Sequence, residues 1–229
     1  MSGPASPSRP SAAMILAAGR GERMRPLTDA LPKPLLRIRG KPLIERHVER
    51  LADAGIRRVV INLAWLGSMI RDFLGDGSRY GVAIEYSDEA PHALETAGGI
   101  FRALPALRPD PFLVVNGDVL TDYPFEQLRL AAAEDAHLVL VPNPAQHPGG
   151  DFGIDAGLAL ASAAVRYTFS GIAVYRPEFF AGCADGVAPL KPLLVRAMTA
   201  GRCGAELYAG RWEDVGTPQR LAALNAGEE

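Results

Sequence analysis

The apolar run Met14–Ala18 stops at Gly19-Arg20-Gly21-Glu22-Arg23, and Pro26, Pro32 and Pro34 follow before Leu35-Leu36. A short apolar run bounded in this way reads as a buried strand. The glycines let the backbone approach a ligand closely. Each proline lacks an N–H and restrains the residue before it, so the strand cannot lead straight into a regular helix. The chain must therefore carry a long irregular loop at the end of a buried strand, the kind of loop that usually serves function.

Charge gives that loop a ligand class. Arg20, Arg23, Arg25, Lys33 and Arg37 outweigh Glu22 and Asp29 there, whereas the whole chain carries a formal net charge of −2. A basic, glycine-bearing loop suits phosphate. It is neither a Walker A loop, since no Gly-Lys-Ser/Thr occurs, nor a dinucleotide fingerprint, since Met24 stands where a third glycine is needed. Backbone N–H groups near Gly19 and Gly21 are expected to hold phosphate oxygens. Arg23 would clamp a terminal diphosphate, and Lys33 would act as a point charge beside the reacting phosphorus.

Periodicity then places the remaining elements. Helices are expected over 41–54, 65–74 and 125–133, and strands over 57–63, 82–86, 111–116 and 137–141. Glu95-Thr96-Ala97-Gly98-Gly99 should lead into a helical turn at 100–104, its glycines leaving room for a flat ring. After Pro148-Gly149-Gly150 the pattern changes to antiparallel strands over 151–155, 158–161 and 166–175. Helices at 177–183 and 190–200, a strand at 205–208, and a last helix capped by Thr217 complete the chain. Alternating strands and helices imply a mixed, mostly parallel α/β sheet flanked by helices, with a small antiparallel region late in the chain. Ligands in such sheets sit beyond the carboxyl ends of the strands, so residues after Ala18, Tyr86 and Asn116 should converge.

Asp118 follows the strand 111–116, and Asp214 lies between Trp212 and Gly216-Thr217-Pro218. Each alone reads as a turn or cap residue. Beside a phosphate loop they form a pair suited to magnesium, which takes one or two carboxylates and completes its shell with phosphate and water. Asn116, Asn143 and Asp151 could hydrogen-bond sugar hydroxyls. No Ser/His/Asp or Cys/His arrangement suggests a covalent nucleophile.

The Pro/Ser-rich segment 1–12 is expected to be a disordered tail ahead of one domain, 13–229, whose nucleotide-binding part spans about 13–142 and sugar-binding part about 143–229. Net charge gives no reason to expect nucleic acid or an anionic membrane, no run reaches membrane-span length, and no obligate protein partner is evident. Cys183 and Cys203 are the only cysteines and have no CxxC spacing, which suits a reducing, cytoplasmic setting.

LAAGRGERMRPLTDALPKPLL, VVNGDV, ETAGG and WEDVGTPQR together resemble the sugar-1-phosphate nucleotidylyltransferases, from about Ala13 to the C-terminus. The resemblance implies a Rossmann-like, GT-A-like nucleotidyltransferase fold. It also implies magnesium-dependent transfer of a nucleoside monophosphate from a nucleoside triphosphate to a sugar 1-phosphate, with release of pyrophosphate. Arg23 and Lys33 would be the catalytic cations, on the leaving pyrophosphate and the α-phosphate. Leu16, Ala17, Ala18, Gly19, Gly21, Glu95, Gly98 and Asn116 would bind the nucleotide, Asp118 and Asp214 the metal, and Asn143, Asp151 and Ser170 the sugar. NLAWLG, LGDGSRYG, Gly150-Asp151-Phe152 and Phe169-Ser170-Gly171-Ile172 resemble the branch that couples UTP to N-acetylmuramate α-1-phosphate in peptidoglycan recycling. The mannose-1-phosphate guanylyltransferases are the neighbouring branch. Lys191 stands a few residues later than the lysine of relatives and is left out of the site. A non-catalytic nucleotide-sugar sensor could dispense with Arg23, Lys33 or either aspartate, and all four are present.

Overall fold

Aliphatic runs become strands and amphipathic stretches become helices laid over them, in a computed structural model that describes residues 7–89 and 93–227. The first half comprises β1 (Ala12–Leu16), the single turn α1 (Leu27–Ala30), the hairpin β2 (Arg37–Ile38) and β3 (Lys41–Pro42), α2 (Leu43–Asp53), β4 (Arg58–Leu63), α3 (Gly67–Leu74), β5 (Ala83–Asp88), α4 (Glu95–Leu107) and β6 (Phe112–Asn116). Then follow β7 (Val119–Thr121), β8 (Ala136–Val141), β9 (Gly153–Asp155), β10 (Leu158–Leu160), β11 (Thr168–Tyr175), α5 (Lys191–Thr199), β12 (Cys203–Leu207), β13 (Trp212–Asp214) and α6 (Pro218–Ala226). Gly55 ends α2 with φ 84°, and the Ile56 N–H returns to the Leu51 carbonyl at 3.0 Å, as a left-handed glycine cap should.

Nine strands form one sheet in the order β5-β4-β1-β6-β11-β8-β12-β10-β9. β11 and β10 run against the other strands, so the sheet is mixed but mostly parallel. Both faces are covered. Ala13 and Ile15 of β1 pack with Ile44, Val48 and Leu51 of α2, while Ala12 and Met14 pack with Ile100 and Leu104 of α4. Burial on both sides explains why β1 reads as a continuous apolar run, with no polar alternation. The antiparallel strands β9, β10 and β11 extend this same sheet, and the separate antiparallel pairs are β13-β7 and β2-β3.

Several expectations are corrected. Residues 125–133 hold only a 3-10 turn at Phe125–Gln127, because Phe125, Leu128 and Leu130 are all buried at a spacing that no single helix face presents. Leu130 instead exchanges backbone hydrogen bonds with Ser8, at 2.8 and 3.0 Å. In the second part of the segment expected as a tail, Arg9 donates to the Ala54 carbonyl at 2.5 Å, and Ala12 opens β1. Residues 1–6 lie outside the described residues. At 177–183 a 3-10 turn, Pro177–Phe180, replaces the helix, since adjacent Phe179 and Phe180 both bury against Tyr175.

Gly98 and Gly99 lie inside α4, not ahead of it. A Cβ on Gly98 would come 2.2 Å from the Gly186 carbonyl oxygen, and one on Gly99 would come 2.3 Å from Glu89 Oε1. These glycines let a helix sit close to its neighbours. His47 on α2 is 2% exposed, and burial pulls its pKa down to about 4.

Candidate active site

The end of β1 is the focus of the sheet. Leu16 is in register with Asn62 of β4 on one side and Asn116 of β6 on the other. Asn62 is 4% exposed, accepts the Ala17 N–H on Oδ1 at 2.7 Å, and donates through Nδ2 to Glu89 Oε1 at 2.7 Å. Glu89 Oε2 in turn accepts the Leu94 N–H at 2.8 Å. One buried amide and one buried carboxylate therefore tie the loops after β1, β4 and β5 together. Neither residue was expected from sequence; the available signal was an asparagine set within the aliphatic run of the strand RVVINL.

Beyond Ala18 the loop is shaped by Gly21, whose φ is 68°. A Cβ there would press to 3.2 Å against the Cβ of Lys33, so the glycine makes room for the lysine stem. Thr28 Oγ1 donates to the Gly21 carbonyl at 2.9 Å and fixes the loop. Lys33, its side chain only 9% exposed, places Nζ 2.5 Å from Asp118 Oδ2. Asp118 also accepts the Val215 N–H on its carbonyl at 3.0 Å, and Asp214 lies opposite Val119 in the β7-β13 pair. Asp118, in the turn between β6 and β7, and Asp214, at the end of β13, are thus brought to the same cavity. Asp214 Oδ2 meets Arg220 Nη1 at 2.8 Å, on a helix that Thr217 caps.

Two cavities open over these residues. The first, about 390 Å³, is lined by Leu16, Ala17, Ala18, Gly19, Gly21, Arg23, Lys33, Asn62, Glu89, Glu95, Asn116 and Asp118 among others. The second, about 360 Å³, is lined by Gln146, His147, Thr168, Phe169, Ser170, Trp212 and Asp214 among others. Arg23, Asn116 and Asp118 line both. Two substrates held side by side would meet there.

Residues 12–156 match the family described as Nucleotidyl transferase. The chain belongs to that family. It is 52% identical to the N-acetylmuramate alpha-1-phosphate uridylyltransferase of Neisseria meningitidis serogroup B, over 93% of this chain and 96% of that protein. It is 34% identical to the protein of the same name from Caulobacter vibrioides, over 95% and 96%. Its fold is similar to that of a Bacillus anthracis protein described as a candidate glucose-1-phosphate thymidylyltransferase, crystallised with sucrose, with a TM-score of 0.80 at 22% identity and 94% of each chain covered.

In this nucleotidyl transferase the loop cations divide by partner. Arg25 pairs with Asp29 at 2.8 Å, and Arg20 pairs with Glu22 at 2.7 Å while stacking over Trp65. Arg23 makes no ion pair among the described residues and lines both cavities. The structure brings Leu16, Ala17, Ala18, Gly19, Gly21, Glu95 and Asn116 to the first cavity, as the sequence suggests.

Gly98 does not line either cavity; its close contact is with the backbone at Gly186 and Ala188. Asn143 also lies outside the lining of both cavities. Its Nδ2 donates to the carbonyls of Pro148 and Arg166, and its Oδ1 accepts from Thr168. Asp151 accepts the Phe169 N–H at 2.8 Å and faces His147 Nε2 at 3.1 Å, so it braces the loop from outside the cavity lining. Ser170 reaches the second cavity, but its hydroxyl donates to the Val139 carbonyl at 2.6 Å and accepts the Ile172 N–H at 3.1 Å, within the irregular part of β11.

The carboxylates fit a divalent cation by donor type. Among the described residues no cluster of three His, Cys, Asp or Glu side chains exists to enclose a metal. Asp118 and Asp214 each have one oxygen engaged by a cation, with Oδ1 making no hydrogen bond among the described residues. Such an open pair suits a divalent cation bound chiefly through substrate phosphates and water.

Proposed function

We propose that this chain transfers the uridylyl group of UTP to N-acetylmuramate α-1-phosphate, giving a nucleotide sugar and pyrophosphate with magnesium as cofactor. What carries the reading is the meeting of two cavities at Arg23, Asn116 and Asp118. The near full-length likeness to relatives bearing that name supports the choice of base and sugar.

The triphosphate occupies the first cavity, with backbone groups from Leu16 to Gly21 along its phosphates and Glu95 and Asn116 nearer the nucleoside. Arg23 holds the pyrophosphate, and Lys33 lies at the α-phosphate. The sugar 1-phosphate enters the second cavity. One of its phosphate oxygens attacks the α-phosphorus in line, a P–O bond forms, and the bond to the β-phosphate oxygen breaks as pyrophosphate departs. The nucleophile is already anionic, so no general base is required. Alignment of two polyanions and compensation of their charge are the needs that the protein meets. Magnesium, held by Asp118 and Asp214, would supply further charge neutralisation at the phosphates. Both substrates are polyanions that do not cross a bilayer, and we place the reaction in the cytoplasm.

Pyrophosphate release should be measured for UTP, dTTP and GTP against muramate-, glucosamine-, glucose- and mannose-type 1-phosphates. UTP with N-acetylmuramate α-1-phosphate should give the highest kcat/KM. A preference for GTP with mannose 1-phosphate would overturn the assignment.

A further inference from the structure

The acceptor proposed above differs from the common hexosamine phosphates by a carboxylate on its ether side chain. We propose that His147, held in place by Asp151, reads that carboxylate. The inference rests on the proposed acceptor and names the residue that selects it.

Most polar groups around the second cavity already have partners. Thr168 Oγ1 donates to Asn143 Oδ1 at 3.0 Å, Ser170 Oγ to the Val139 carbonyl, and Trp212 Nε1 to the Ser170 carbonyl at 2.9 Å. Asp118 and Asp214 repel an anion. Two side chains on the lining can carry positive charge, Arg23 and His147. Arg23 also lines the triphosphate cavity, where the pyrophosphate needs it. His147 lines only the acceptor cavity.

The imidazole is built into position. Its Nε2 lies 3.1 Å from Asp151 Oδ1, and Asp151 Oδ2 is anchored by the Phe169 N–H at 2.8 Å. The His147 N–H closes a turn on the Pro144 carbonyl at 2.8 Å, and Asn143 bonds the Pro148 carbonyl across the same loop. Nδ1 makes no hydrogen bond among the described residues. With both ring nitrogens protonated, one donates to Asp151 and the other is available to a substrate carboxylate. Asp151 is therefore a positioning residue, which accounts for an acidic side chain beside the binding site of an acidic sugar.

The test compares kcat/KM for N-acetylmuramate α-1-phosphate and N-acetylglucosamine α-1-phosphate in the wild type, His147→Ala and His147→Gln, with thermal melts to confirm folding. The ratio of the two values should fall at least ~10-fold in both variants, on the scale of one charge-assisted hydrogen bond. The change should lie in the acceptor KM, with the KM for UTP unaltered. A wild-type preference that both variants retain overturns the role of His147 and leaves the acceptor assignment standing. A wild type with no preference for the carboxylate-bearing sugar overturns the acceptor assignment itself.

Discussion

Lys33 Nζ lies 2.5 Å from Asp118 Oδ2, joining the loop after β1 to the end of β6 across 85 residues of sequence. The lysine is nearly buried, and the carboxylate sits where the charge would otherwise be left unpaired. The contact fixes a cation at the place where two cavities meet. Lys33→Ala is expected to lower kcat more than it raises the KM for the nucleotide, because charge at the α-phosphate matters most as the bond is exchanged. Steady-state kinetics with the preferred substrate pair measure this, and a pure KM effect would make Lys33 a uniform binding group.

Asp118→Asn should preserve the fold and lose at least ~10²-fold in turnover, the scale of removing one preorganised electrostatic group. Circular dichroism and pyrophosphate release across a magnesium titration check both halves of the statement. Near-wild-type rates at saturating magnesium would take Asp118 out of the site.

Asn62→Ala removes the acceptor for the Ala17 N–H and the donor to Glu89 Oε1, both in the interior. Leaving such groups unpaired costs roughly 1–3 kcal/mol. A lower denaturant midpoint is expected together with a raised KM for the nucleotide, since Ala17 lines the first cavity. Reduced stability with an unchanged KM would confine Asn62 to the scaffold.

Gly98→Ala tests a helix contact against a nucleotide contact. The added methyl would meet backbone atoms, the Gly186 carbonyl oxygen at 2.2 Å and the Ala188 nitrogen at 3.1 Å, so it cannot be absorbed by one side-chain rotation. Overpacking of this kind costs about 1–3 kcal/mol. Thermal denaturation should show the loss, and a variant as stable as the wild type would mean that the segment carrying Gly186 yields easily.

His137 lies 3.1 Å from Glu134 Oε2 and 3.6 Å from Glu206 Oε2. Burial pulls its pKa down, but the hydrogen bond to Glu134 and the charge of Glu206 outweigh that and hold it at about 9. The folded protein therefore keeps a proton that the unfolded chain releases near pH 6.5. Its stabilising contribution is complete below about pH 6.5 and is lost as pH rises through about 9, by at most about 3 kcal/mol. Denaturation midpoints between pH 6 and 9 should decline for the wild type and decline less for His137→Gln. Equal slopes would remove His137 as the cause.

Strands and loop chemistry were legible because their causes are local. The apolar run at Met14–Ala18, the glycines after it and the prolines beyond act within a few residues of themselves. Asp118 and Asp214 were legible as ends of strands. The failures were of two kinds. At 125–133 and 177–183 helical propensity yielded to tertiary burial, with Leu130 drawn to Ser8 and Phe179 and Phe180 drawn together onto Tyr175. The second kind is one of partners that sequence does not show: Asn143 and Asp151, expected at the sugar, bond loop groups as far away as Arg166 and Phe169.

The sequence alone thus determined a mostly parallel α/β sheet and a long glycine- and proline-bearing loop at the end of its first strand, and it marked Asp118 and Asp214 as candidates beside that loop. Period, proline and glycine are properties of the chain before it folds, so these conclusions need no register. Only the tertiary structure decided which polar groups remain open to a substrate. It placed Asn62 beneath Ala17 and brought Lys33 to Asp118, and it turned Asp151 toward His147. A hydrogen bond is an exclusive contact, and whether a donor is already engaged depends on residues that folding alone brings within 3 Å.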